Sequence, residues 1–316
     1  MSSTPPQGPV ALFQREHDVI EVSGTDRLNY LNDVTTQQFA DNMTGIRTNA
    51  LVLDGAGVVQ AAFGVAVLAD RLLLLSPHQD VTTYILDVLA QRTFLLDVRF
   101  AQTNLAVWEL RGDEFEDIAR QANVFAPQGT VRPSGTELVV CGVPSGVELI
   151  GDTNALATIQ TVLTDDGVPQ GTDTDYEERR ICRGEPAFGR EIVRPHLPEE
   201  VGILPSHVHL SKGCYPGQEA VARMWMLGRP RRRLALLSLP QNTPTGVFCG
   251  SGRDTVELTS AATTHPYALA FVPEATTVSE TFTNDTGQTA TVLRLVGADA
   301  SPVGHDPAIT RRRDRR

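Results

Sequence analysis

Eight consecutive residues carry the densest chemistry in the chain: Lys212-Gly213-Cys214-Tyr215-Pro216-Gly217-Gln218-Glu219, with Arg223 a helical turn further on. A thiol set among glycines, with an ammonium two residues before it and a helix N-terminus just after it, is exposed by flexible backbone. The nearby positive charge favours it as a thiolate. The bland alternative is a small buried cysteine in a glycine turn, but Lys212, Gln218 and Glu219 make this segment too polar for a core strand. The expected working pair is therefore Cys214 as reactive thiol and Lys212 as the cation that keeps it anionic or meets a ligand. Gln218, Glu219 and Arg223 would fix the loop.

Composition sharpens that choice. Of 27 Lys plus Arg residues, 26 are arginine, and the single lysine is Lys212. Lysine supplies a compact, titratable point charge that the always-charged planar guanidinium does not copy, so a lone lysine beside the thiol hints at a chemical need. Other groupings are weaker. His207-Val208-His209 lies ahead of the signature, but no fourth ligand is evident and no metal centre is expected. Met224, Trp225 and Met226 follow Arg223 and could stack on a planar ligand, but core packing explains them better. Gly55-Ala56-Gly57 lacks the strand-to-helix context of a dinucleotide loop and reads as a hairpin turn.

The elements that must position the signature follow from periodicity. Residues 19–22 read as a strand and 26–31 as an amphipathic helix; residues 50–53 and 58–68 form a hairpin around an aspartate-glycine turn. A strand at 72–75 and a helix at 81–89 follow. A second set comprises strands at 105–110, 138–141 and 147–150, with helices at 114–123 and 154–163. These units lack regular βαβ spacing, which favours α+β with helices on antiparallel sheets. A charged helix at 176–182 leads into the proline-bearing stretch 185–211, a length of loop that tends to be functional. After Pro230 come short strands at 234–239, 246–249, 254–258, 267–272 and 289–295, the pattern of a small barrel or sandwich.

The expected domains are a body over residues 10–228, subdivided into 10–97 and 98–228, a β-barrel over 229–300, and a basic flexible tail over 301–316. At 316 residues the chain exceeds one small core. A net charge of −11 argues against general nucleic-acid affinity. The arginines at 229 and 231–233 read as a domain junction, and Arg311-Arg312-Arg313-Asp314-Arg315-Arg316 as a solvated end. The richest apolar run, 63–75, is broken by Asp70 and Arg71, so no membrane span is expected. Residues 1–9 carry no basic n-region with an apolar stretch, which makes a cytoplasmic location the default. Cys141, Cys182, Cys214 and Cys249 form no CxxC pair and fit reduced thiols.

Lys-Gly-Cys-Tyr-x-Gly-Gln-Glu followed by Val221-Ala222-Arg223 resembles the signature of the YgfZ-type folate-binding proteins, relatives of the glycine-cleavage T-protein. Supporting segments fall in order: Val22-Ser23-Gly24-x-Asp26-Arg27-Leu28, Tyr30-Leu31, Thr35-Thr36-Gln37, Leu51-Val52-Leu53-Asp54 and Gly57. Further on come Arg180-Ile181 with Gly184, Pro198-x-Glu200-x-Gly202, and Gly228-x-Pro230-x-Arg232-Arg233-Leu234. The resemblance implies a T-protein-like multi-domain arrangement around a central channel that binds tetrahydrofolate, with the cysteine motif facing it. Gln218, Glu219, Arg223, Glu200, Arg180 and Tyr215 are the implied cofactor-binding residues. The implied role is assembly or repair of iron–sulfur clusters in client enzymes; one motif cysteine is too few to hold a cluster alone. The runner-up is a folate-dependent aminomethyl transferase or demethylase, and a third reading is a redox-sensing thiol protein. Two departures bear on the choice. Gln60 and Ala61 stand where T-proteins carry an aspartate pair, and Cys182 stands where a pterin-reading glutamate is expected.

Overall fold

The structure, a computed structural model, describes residues 8–135 and 138–305. Residues 1–7 of the polar start and residues 306–316 of the basic end lie outside the described residues. Contacts divide the chain into two units, Gln7–Val52 with Gln60–Asp173, and Leu53–Val59 with Thr174–Arg316.

Strand alternation builds the first of these. Its elements are β1 (Ala11–Arg15), β2 (Asp18–Ser23), α1 (Arg27–Val34), β3 (Arg47–Leu53), β4 (Val59–Val67), β5 (Leu72–Ser76), α2 (Gln79–Tyr84), β6 (Arg99–Gln102) and β7 (Ala106–Arg111). They continue with α3 (Phe115–Gln121), β8 (Val131–Ser134), β9 (Leu138–Val143), β10 (Gly146–Gly151) and α4 (Thr153–Asp165). One sheet runs β3-β4-β5-β2-β6 and the other β1-β7-β10-β9-β8. Along β7 the period of two sends Trp108 and Leu110 to the core under α3 and α4, and Val107 to the opposite face. There Val107, Val139 and Ile150 meet Val19, Leu73 and Leu75 of the other sheet. A buried ion pair crosses this layer: Arg47 Nε and Nη2 donate to the two carboxylate oxygens of Glu148 at 2.7 and 2.9 Å. Burial alone would raise the Glu148 carboxyl, and Arg47 overrides it and holds the group below its ordinary value.

The helix expected at 81–89 is α2 followed by a π-helical turn, Ile85–Leu89. The proline-bearing stretch 185–211 is less irregular than expected, because it holds two short helices.

The second unit starts with α5 (Asp173–Arg183), α6 (Pro198–Val201), α7 (Leu204–His207) and α8 (Gln218–Leu227). Strands β11 (Arg232–Ser238), β12 (Gly246–Cys249), β13 (Val256–Ala261), β14 (Tyr267–Pro273), β15 (Thr281–Thr283) and β16 (Thr289–Leu295) follow. They form one six-stranded antiparallel sheet, β12-β13-β14-β11-β16-β15, curled around Leu237, Phe248, Leu258, Ala270 and Val292. The mixed helix-and-strand body with a barrel-like C-terminal sheet is the α+β class that the sequence implied.

Candidate functional site

The signature is a turn held at the start of α8. Gly217 caps the helix with φ +82°, a left-handed conformation open chiefly to glycine. The Gln218 N–H donates to Tyr215 O at 3.2 Å, and Gln218 Nε2 donates to Lys212 O at 3.4 Å. Cys214 is exposed and has a free thiol. Glu219 and Arg223 form an exposed i,i+4 ion pair of 2.8 Å, a contact of about 0.3–0.5 kcal/mol.

Lys212 has the opposite environment. It is only 6% exposed, and its ammonium lies 4.8 Å from the centroid of the Tyr215 ring, within cation–π range. Tyr215 is itself buried, which pushes its hydroxyl up to about 12. The lone lysine thus packs its stem and charge under the turn while Cys214 stands outside it.

Two further segments brace the turn, and sequence reasoning missed both. A β-carbon on Gly217 would lie 2.5 Å from Asp54 O and 3.3 Å from Gly57 Cα. One on Gly57, at φ +83°, would lie 2.9 Å from the Ala220 side chain. The hairpin tip therefore fits only because glycine meets glycine. Asp54 shapes that tip by accepting from the Ala56 and Val58 N–H groups at 2.9 and 3.0 Å. The second brace is residues 301–305. His209 bridges Val303, the Leu210 N–H donates to Val303 O at 2.9 Å, and His305 meets the Trp225 ring edge-on at 5.3 Å. The glycines at 57 and 217 stand in the sequence, but nothing in it shows that they meet, and nothing in it announced the second brace.

The remaining expected residues lie elsewhere. Glu200 caps α6 by accepting the Leu197 N–H at 3.0 Å. Its neighbour His196, 3.7 Å away, stacks on Phe271. Arg180 spends all five of its N–H donors inside the protein. Nε and Nη2 reach the two oxygens of Glu177 at 3.0 and 2.7 Å, Nη1 reaches Glu191 at 3.0 Å and Glu185 O at 2.8 Å, and Nη2 reaches Ser260 at 2.9 Å. Cys182 is buried, which pushes its thiol up to about 11. Trp225 is buried and Met224 lines an apolar recess of about 210 Å³ with Gly57, Leu197, Leu204 and Val221. His207 Nδ1 lies 2.8 Å from Ser206 Oγ, and among the described residues no group of three or more His, Cys, Asp or Glu could hold a metal ion.

The fit of these residues to a folate is one-sided. A carboxylate would pair bidentately with a pterin edge, yet on α5 Glu177 is taken by Arg180 and Glu178 by the Thr263 and Thr264 hydroxyls and His265. Cys182 offers none. On that helix the two glutamates nearest Cys182 in sequence are thus already engaged within the protein.

No protein-family model matches the chain. It is similar to a chloroplastic protein of Arabidopsis thaliana named as a transferase, 26% identical over 258 residues, covering 76% of this chain and 59% of that protein. The chain thus spans less than two thirds of the length of that relative. It is also 26% identical over 241 residues to the tRNA-modifying protein YgfZ of Colwellia psychrerythraea, covering 72% of this chain and 71% of the relative. Its fold matches the crystal structure of glycine cleavage system aminomethyltransferase T from Bartonella henselae with a TM-score of 0.74, over 94% of this chain and 88% of that one, at 14% identity. The chain therefore has the fold of the glycine-cleavage aminomethyltransferases. In sequence it is similar to the YgfZ relative, and residues 212–219 resemble the YgfZ-type signature.

Proposed function

We propose that this protein is a tetrahydrofolate-binding factor that supports assembly or repair of iron–sulfur clusters in other enzymes, with Cys214 as its reactive thiol. The observation that carries the reading is the pairing of an exposed Cys214 with a buried Lys212 in one rigid turn. Burial fixes the ammonium beside the Tyr215 ring within the turn, and exposure lets the thiol meet a second macromolecule. Tyr215, Gln218, Glu219 and Arg223 belong to this site as the groups that shape the turn, whereas Glu200 and Arg180 hold other segments of the same unit. Four free cysteines suit a reducing compartment such as the cytoplasm. When bound, a reduced folate supplies a one-carbon acceptor at its ring nitrogens.

The second reading, an aminomethyl transferase, is favoured by the fold and by the transferase-named relative. Against it, the hairpin strand β4 carries Gln60 and a fully buried Ala61 where a carboxylate would be needed.

Calorimetric titration with tetrahydrofolate tests the proposal. Saturable binding by wild type, weakened about tenfold or more by Lys212→Ala and retained by Cys214→Ser, is the expected result. Wild type that takes up no folate leaves a thiol scaffold without cofactor. Release of methylenetetrahydrofolate from an aminomethyl donor would instead establish the transferase.

A further inference from the structure

A surface remote in sequence from the signature combines features that a free surface rarely keeps. Phe94, Leu95 and Leu96 are 84%, 89% and 43% exposed, three apolar side chains in a row at the tip of a turn closed by the Leu96 N–H donating to Thr93 O at 2.9 Å. Their base is clamped. Thr93 Oγ1 donates to Ala90 O at 3.0 Å, and the Asp97 N–H donates to Asp26 Oδ2 at 2.9 Å. The Asp97 carboxylate accepts from the Thr25 N–H and hydroxyl at 2.9 and 3.1 Å. A β-carbon on Gly24 would collide with the Asp97 carbonyl, so the clamp needs bare glycine backbone. Leu95 itself sits at φ +65°, a conformation disfavoured for any residue with a side chain. Unburied apolar surface and a strained leucine are both held in place instead of being relaxed, which is the mark of an interaction site.

The tip runs directly into an open sheet edge. β6 is the last strand of its sheet and pairs only with β2. Phe100 points inward, edge-on to Tyr30 at 6.0 Å, while Arg99 and Ala101 are exposed. Proteins usually cover or shorten such edges because another chain can pair with them. Cations flank the tip in a chain of net charge −11. Arg92 is exposed and has no ion pair among the described residues. Arg99 is exposed, with Asp97 at 3.1 Å.

We propose that the Phe94–Leu96 tip and the β6 edge form a docking site for an extended, acidic segment of a partner protein. The segment lies along β6 as an added strand and receives Phe94 and Leu95 among its own apolar side chains. Main-chain hydrogen bonds to the edge supply affinity and the apolar knobs supply register, as in other strand-addition complexes. Acidic residues answer Arg92 and Arg99. A four-residue edge and three side chains offer on the order of a few hundred Å², short of the roughly 1,000 Å² of a stable interface, which favours a short segment in a transient complex over a second copy of this chain. The proposal is independent of folate binding.

The test places a photo-crosslinking phenylalanine at position 94 and, separately, at position 101 of the full chain in the cells that make it, with exposed Val278 as control position. Mass spectrometry locates the crosslinks, and the mapped segment is then made as a peptide and titrated against the purified protein with hydrogen exchange followed at residues 99–102. The expected result is that both positions reach one segment with an Asp or Glu within a few residues of the crosslink. The peptide should slow exchange at 99–102, and Leu95→Asp or Arg92→Glu should weaken binding at least about tenfold. Both substitutions are at exposed positions, so an unchanged unfolding midpoint shows that the fold survives. Adducts to this chain itself, to lipid, or to unrelated segments from the two positions overturn the proposal, as does a yield no higher than at Val278.

Discussion

Glu178 holds α5 to the loop after β13. Its carboxylate accepts from the Thr263 N–H and hydroxyl, from the Thr264 N–H at 3.1 Å and hydroxyl at 2.8 Å, and lies 3.0 Å from His265 Nδ1. Burial would raise the group, but these bonds outweigh burial and hold it down at about 2. Because the folded value lies below the unfolded one of about 4.3, the stabilisation is full above about pH 4.3 and is lost as pH falls toward 2. Its size is on the order of 2–3 kcal/mol. Glu178→Gln should therefore lose stability in urea melts at pH 6, and the gap to wild type should close by pH 2. A gap that stays constant with pH would assign the effect to the hydrogen bonds alone. None of this was legible in the sequence, where Glu178 is one acid among several in a charged helix. Cys214 was legible, since its polar and glycine neighbours forbid a core strand. The burial of Lys212 was not, because its stem is covered by the Tyr215 ring and by packing that no local pattern encodes.

Strands in the middle of each sheet announced themselves, and of the six that end a sheet only β3 and β12 did. β1, β6, β8 and β15 each end a sheet, and none was expected. An edge strand buries one flank only, so its sequence carries a short or broken apolar signal: β8 contains Pro133 and β6 is mostly exposed. The hairpin of β3 and β4 was readable because Asp54 and the glycines after it are turn chemistry. The 301–305 strap was not, since two backbone contacts and one ring edge leave no composition signal. Gly304, at φ +74°, abuts Ser211 Oγ and the His209 ring. Gly304→Val should loosen this strap and raise the rate at which iodoacetamide modifies Cys214 several-fold, read site by site in mass spectra, with little loss of global stability. His305→Ala should act in the same direction more weakly. An unchanged Cys214 rate in both variants would mean that the strap does not reach the signature turn.

Across the whole molecule the α+β class and the barrel-like end came through from strand length and turn spacing alone, even though identity to the matched aminomethyltransferase structure is 14%. Patterning survives where residue identity does not, because many side chains satisfy the same buried face. Where the braces of the site come from was not readable, because glycines 160 residues apart meet only in the fold. The thiols report on this arrangement as a set. In the native protein Cys214 should react with a thiol reagent first and the half-buried Cys249 more slowly. The buried Cys141 and Cys182 should follow only after denaturant is added. Early reaction of a third thiol would mean that one of the two buried cores opens on its own.

The single lysine has a practical meaning of its own. A protease that cleaves only after lysine has one target bond in this chain, Lys212–Gly213, and the side chain it must grip is folded beneath the turn. Cutting into two fragments can therefore proceed only through molecules in which that turn has opened. The rate of a single cleavage thus measures how often the site breathes, and a ligand that settles there should slow it in proportion to its occupancy.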